Sequence, residues 1–243
     1  MLAEKVETES ELQEARDLGY SYFQGYFFCK PSMICTRDIP ACQANCLRLI
    51  EKCAAPELNY REIENIFRQE PALTYRLLRF LNSPLLSLRA EIRNVRQAIS
   101  LLGEREFRRW VAIVALVMMA GNKPPELIRT ALTRAYFCGE LARPLGLLSQ
   151  SSDLFLMGLL SAADALLDRP MPQILSELSL SAQIRTALDG GGSSFDNVYK
   201  TLLAYEQADW RSVSAIASTA GYAEDQIPEC FVIASKRAIS VAS

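Results

Sequence analysis

The 243-residue chain contains no histidine. That absence removes the side chain most used as a general base near neutral pH and the commonest nitrogen ligand for zinc or iron. Ser-His, Cys-His and His-Asp mechanisms are all excluded by it. Excess positive charge is missing too: the formal net charge is -2, so nothing overall draws the chain to nucleic acid or to an anionic membrane. No apolar run approaches the roughly 20 residues of a membrane span. The strongest candidate, Trp110 to Gly121, is preceded by arginines and followed by Pro124-Pro125. The N-terminus is acidic and has no apolar run before a small-residue cleavage site, so we expect no signal peptide and a cytoplasmic protein. Seven cysteines, an odd number without CxxC spacing, speak against a disulfide framework and for reduced thiols. Cys42, Cys46 and Cys53 could share one helix face as thiolate ligands, but buried free cysteine is the ordinary reading, and no metal or cofactor is expected.

What remains is a chain half hydrophobic and 22% charged, enough for one sizeable domain with an appendage. The stretch from Asn59 to Met119 organises it. Asn59 with Glu62, and Asn94 with Gln97, place a short polar acceptor three residues before a side chain that can reach back, the pattern of a capping box. Pro71 opens a helix carrying Leu73, Leu77, Leu78 and Leu81, and Asn82-Ser83-Pro84 closes it. Val95, Ala98, Ile99 and Leu102 form one buried stripe, with Gly103 as its stop. The next helix is apolar on every side from Trp110 to Met119, which predicts enclosure by other helices, with Trp110 in the core.

Before this stretch, Leu2 to Glu7 reads as a strand and Thr8 with Glu11 as a capping box. Ser10 to Leu18 reads as a helix ended by Gly19, and Tyr20 to Phe28 as an aromatic strand. The order is βαβ, so the two strands should run parallel. Ala3-Glu-Lys-Val-Glu-Thr8 with Leu18-Gly-Tyr-Ser-Tyr-Phe-Gln-Gly-Tyr-Phe-Phe28-Cys-Lys-Pro31 resembles the closing segment of an EAL domain, the TIM-barrel phosphodiesterase of cyclic di-GMP. The resemblance covers residues 1–31. It implies that Glu4 and Gln24 match active-site positions of that family, whose other metal and catalytic residues lie on earlier barrel strands. Two residues cannot hold two divalent cations, so Glu4 and Gln24 read as relics. Tyr22, Phe23 and Tyr26 to Phe28 need cover, from the helical part or from a second copy in a homodimer.

Residues 32–38 read as a linker, and Ala41 to Cys53 as the first helix of the main domain. Glu70-Pro-Ala-Leu-Thr-Tyr-Arg-Leu-Leu-Arg-Phe-Leu-Asn-Ser83 and Ile92-Arg-Asn-Val-Arg-Gln-Ala-Ile-Ser-Leu-Leu-Gly103 resemble the HDOD family, the HD-related output domain of bacterial signalling proteins. That domain is assigned to residues 39–243, with a helical extension from about 210. Gly158-Leu-Leu-Ser-Ala-Ala-Asp-Ala-Leu-Leu167 stands where related hydrolases carry Gly-Leu-Leu-His-Asp. Ser161-Ala162 therefore replace the His-Asp metal pair, and Thr133-Arg134 stand near the first metal-binding histidine. Within one helix from Asp153 to Leu167, Asp164 would point about 200° away. The expected fold is mainly α, an HD-related multi-helix domain preceded by a short βαβ remnant of an EAL barrel.

Further along, Glu126 to Arg143 is a helix whose Ala131, Ala135, Gly139 and Ala142 predict close packing. Gly190-Gly-Gly-Ser-Ser194 lacks the Gly-Lys-Ser/Thr of a phosphate loop and reads as a hinge. Phe195 to Tyr205, Asp209 to Thr219 and Pro228 to Ala238 read as helices. Arg105, Arg108 and Arg109, with Arg89, Arg93 and Arg96 upstream, form the one notable basic cluster. A solvated face is its bland reading, and a contact to an anionic partner or to a nucleotide its functional one. The resemblance implies a non-catalytic signalling module with a protein partner. A residual metal-dependent hydrolase and a nucleotide-binding receptor without turnover are the alternatives.

Overall fold

Short polar side chains set the helix starts. A computed structural model describes residues 2–3, 6, 8–23, 41–55, 57–81, 94–121 and 123–242. In the first helix, α1 (Glu9–Asp17), Thr8 Oγ1 accepts from the Glu11 N–H and Glu11 returns a carboxylate to the Thr8 N–H, a complete capping box. Leu2–Ala3 (β1) and Tyr22–Phe23 (β2) flank it and pair in parallel, Leu2 with Tyr22 and Ala3 with Phe23. Among the described residues the pairing covers two residues a side, the rest of the expected strands lies outside them, and the described fold is mainly α-helical.

The helices α2 (Ala41–Ala54), α3 (Tyr60–Gln69) and α4 (Pro71–Leu81) follow. Asn59 Oδ1 accepts from the Glu62 N–H at the head of α3, and Asn94 Oδ1 from the Gln97 N–H at the head of α5 (Val95–Ala120). α5 is two helical segments meeting at Gly103, whose φ of 75° and ψ of 159° are open to glycine alone. Expected as a stop, Gly103 is a bend, because the chain resumes helical geometry at once. Beyond it Phe107 and the run from Trp110 to Leu116 are buried, and α2, α4, α6 and α7 enclose them.

α6 (Pro125–Leu141) packs along α7 (Ser151–Leu160) on one side and α13 (Gln226–Ala242) on the other. A 3-10 turn at Leu148–Gln150 leads into α7. The single helix expected from Asp153 to Leu167 is in fact two, α7 and α8 (Ala163–Leu167), interrupted at Ser161-Ala162. α9 (Met171–Glu177), α10 (Ala182–Leu188), α11 (Asp196–Glu206) and α12 (Trp210–Ala220) complete the bundle, Ser181 and Asp209 capping α10 and α12. α13 starts two residues before the expected Pro228, which sits in the first turn where its missing N–H has no partner to lose.

The core runs continuously from Cys46 to Ala238. At its far end Phe137 of α6, Tyr205 of α11 and Phe231 of α13 form a ring cluster with centroids 4.8–5.4 Å apart. Glu4, Gln24, Arg89, Arg93 and residues 32–38 lie outside the described residues.

Candidate functional site

Around Ser161-Ala162, the pair that the sequence resemblance sets in place of a metal motif, the packing centres on Arg134. α6 and α7 cross at Gly158, where a Cβ would stand 2.4 Å from the Arg134 carbonyl oxygen and 2.9 Å from Ala135 Cα. Small residues on both helices bring the backbones together: Ala131 and Ala135 on α6 are fully buried, as the sequence predicts. That crossing delivers Arg134 to the C-terminal end of α7. Its Nη1 donates to the Ser161 carbonyl at 3.1 Å and stands 3.4 Å from Ser161 Oγ. Nε and Nη2 donate as a fork to both carboxylate oxygens of Glu206, at 2.8 and 2.7 Å. Ser161 Oγ donates in turn to the Gly158 carbonyl at 2.7 Å.

These bonds explain the interruption of the helix. The Ser161 carbonyl accepts from a guanidinium, its hydroxyl bonds back one turn, and α8 restarts at Ala163. The 200° separation expected for Asp164 presupposed one continuous helix and does not apply. Asp164 is half-buried, and its Oδ1 accepts from the Ala165 N–H in the first turn of α8. Buried Cys138 and half-buried Tyr199 face the same place, and burial raises the pKa of both, so each stays protonated and neutral. The cation of this site is thus a side chain, and hydroxyl and carbonyl oxygens with one carboxylate surround it.

The basic cluster divides. Arg108 turns back to α2, where its Nη1 donates to the carbonyls of Cys53 and Ala55. It is a C-cap for that helix, with its charge at the negative end of the helix dipole. Arg105 and Arg109, one turn apart, face a cleft between the second half of α5, α6 and α13. Arg105 is exposed, with Glu106 at 3.5 Å. Arg109 is 13% exposed, 3.2 Å from Glu106, 3.4 Å from Ser151 Oγ and 5.4 Å from the Phe155 ring centroid. Trp110 is buried, as expected. Arg96 pairs with Glu64 instead, at 3.3 Å. Arg143, Lys236 and Arg237 also line the cleft. They escape a reading of the sequence because they stand about 35 to 130 residues from Arg109 along the chain.

The glycine loop carries an anion-binding geometry that the protein fills itself. Gly192 and Ser193 N–H groups and the Ser193 hydroxyl all donate to the Asp196 carboxylate. Cys46 and Cys53 are buried, and burial pushes the Cys53 thiol up to about 12. Among the described residues no group of three or more His, Cys, Asp or Glu side chains could hold a metal, and no helix is long and apolar enough to cross a membrane.

A mainly helical bundle without a metal-holding group among the described residues has degenerate HD character. The HDOD domain model matches residues 39–186, more than half of the chain, and the chain belongs to the HDOD family. It is 34% identical over 212 residues to the cyclic di-GMP phosphodiesterase CdgJ of Vibrio cholerae, covering 87% of this chain and 49% of that protein. The protein YuxH of Bacillus subtilis is 30% identical over 234 residues, 95% of this chain and 56% of the relative. The chain therefore spans about half the length of these curated relatives. In fold it is similar to a provisionally named phosphohydrolase of Shewanella amazonensis SB2B. That likeness has a TM-score of 0.57 and 14% identity, and it covers 85% of this chain and 94% of the other.

Proposed function

We propose that residues 39–243 form a non-catalytic signal-transduction module that works through contact with a protein partner in cyclic di-GMP signalling. One observation carries the reading: Arg134 is held by Ser161 and by the Glu206 fork, at the pair that the sequence resemblance aligns with a hydrolase's metal ligands. A guanidinium already paired there opposes a divalent cation by charge. With no histidine in the chain, nitrogen donors are absent as well. The likeness to CdgJ, named as a cyclic di-GMP phosphodiesterase, supports the signalling context.

On this reading the N-terminal βαβ unit, residues 1–31, is the closing segment of an EAL domain, with Glu4 and Gln24 as relics. Its aromatic strand, of which Tyr22 is 70% exposed, makes a homodimer contact. The module is cytoplasmic. Arg105 and Arg109 meet a partner, while Arg108 braces the surface that carries them. The test is hydrolysis of cyclic di-GMP by the purified chain with Mg²⁺ or Mn²⁺, alongside metal analysis. The expected results are no turnover and no stoichiometric iron, manganese or zinc. Metal-dependent turnover that disappears in Glu4→Ala would overturn the reading.

A further inference from the structure

We propose that the cleft between α5, α6 and α13 binds a small organic phosphate that carries a planar ring, a nucleotide in size and chemistry. It goes beyond the interaction reading by giving the module a small-molecule input. The cleft measures about 620 Å³, within the roughly 300–1,000 Å³ of small-ligand sites. Charge comes from all three walls: Arg105 and Arg109 from α5, Arg143 just past the end of α6, Lys236 and Arg237 from α13. Two lining carboxylates, Glu106 and Glu140, oppose these five cations, which leaves three positive charges in excess on a chain of net charge -2. Both carboxylates are already engaged. Glu140 Oε1 accepts from Arg237 Nη1 at 2.6 Å, and Glu106 lies between Arg105 and Arg109.

The cleft floor adds to this. Arg109 Nε is buried without a hydrogen-bond partner, and burial lowers the pKa of its guanidinium. Its charge, offset on its own helix by Glu106, adds to the positive field that an anion in the cleft meets. Gly139 keeps the floor low: a Cβ there would stand 3.7 Å from Arg109 Nη2. The wall beside the cations is aromatic. Tyr136 and Trp110 back it, and the half-exposed Arg237 guanidinium sits 5.8 Å from the Tyr136 ring centroid, so its outer face is the plane on which a base can stack. Concavity with converging charge separates this place from a flat docking face. Because α13 contributes two of the cations, an occupied cleft ties α13 to the α5–α6 edge.

Titration calorimetry of the full chain with GTP, ATP and inorganic triphosphate tests the assignment. We expect saturable binding of at least one nucleotide, about tenfold tighter than triphosphate, because the ring contributes a stacking contact. The double variant Arg143→Glu/Lys236→Glu changes two exposed residues outside the core. It should keep the wild-type melting temperature and weaken nucleotide binding at least about tenfold. No heat with folded protein at millimolar nucleotide would overturn the proposal. Nucleotide binding unaffected by the double variant would do so too, and so would triphosphate binding as tightly as nucleotide. Phosphatidylglycerol vesicles should leave the protein in the supernatant on sedimentation. Co-sedimentation lost in the double variant would reassign the cations to a lipid headgroup and sink the nucleotide. None of these outcomes bears on cyclic di-GMP hydrolysis, so this inference and the preceding one fail separately.

Discussion

Arg134 joins three helices through its guanidinium, and its removal strands the partners. In Arg134→Ala the Glu206 carboxylate, about a quarter exposed, loses both fork bonds, and the buried Ser161 carbonyl loses its donor. Breaking such a partly buried pair should cost about 2–3 kcal/mol, less than for a fully buried one. Arg134→Lys should recover little of it, since an ammonium cannot make the fork. Urea unfolding of the three proteins checks both statements. The missing histidines carry a second prediction: no side chain with an ordinary pKa titrates between about pH 5 and 8, so the urea midpoint should be nearly flat there. The carboxylates act below that window. Glu177 is held below the usual carboxylate range by the Arg169 fork. Burial raises Asp196, but the Gly192 and Ser193 donors together bring it below that range as well. A depressed folded pKa gives stability present above the unfolded value and lost as pH falls through the folded one. The midpoint should therefore decline below about pH 4, less steeply in Asp196→Asn. The pairings themselves were not legible: Arg134 and Glu206 are 72 residues apart. That Ser161-Ala162 lacked metal donors was legible, whereas what replaced them was not.

Gly139 and Gly158 lie on facing helices, and the same substitution should have opposite signs at the two. At Gly158 an added methyl meets the backbone of Arg134 and Ala135 at 2.4–2.9 Å, and main chain cannot step aside. Overpacking of about 1–3 kcal/mol or more outweighs the roughly 1 kcal/mol that alanine gains in a helix, so Gly158→Ala should lower the melting temperature. At Gly139 the nearest atom is 3.5 Å away, an ordinary contact, and Gly139→Ala should raise stability by about 0.5–1 kcal/mol. Thermal denaturation of both variants decides this. Arg108→Ala should cost about 1–3 kcal/mol by uncapping α2, read as a lowered urea midpoint. Element positions were largely readable, because caps at Thr8, Asn59, Asn94, Ser181 and Asp209 and the prolines act within four residues. The break at Ser161-Ala162 was not, since the Arg134 bond that accompanies it comes from another helix.

For the whole molecule, the core among the described residues extends from Cys46 to Ala238, beyond the family match at residue 186. A chain ending at Thr186 should fail to fold, because Phe137, buried at 0% exposure, would lose Tyr205 and Phe231. A chain starting at Ile39 should keep the melting temperature of the full protein, since Val6 and Leu12, though buried, are not part of that core. Circular dichroism of the two truncations checks both, and light scattering of the shorter and full chains tests whether a dimer depends on the N-terminal aromatic segment.

The sequence by itself determined the helical class, the enclosed central helix and the loss of imidazole chemistry. Each follows from composition, from periodicity or from signals a few residues long, which the backbone reads locally. Only the tertiary structure decided that the Arg134 guanidinium bonds Ser161 and Glu206 and that Arg108 leaves the basic cluster to cap α2. It alone brought Arg109 and Arg237 to one cleft. Those choices depend on helices that meet in space across separations of about 27 to 128 residues, and no local rule encodes which side chains will face one another there.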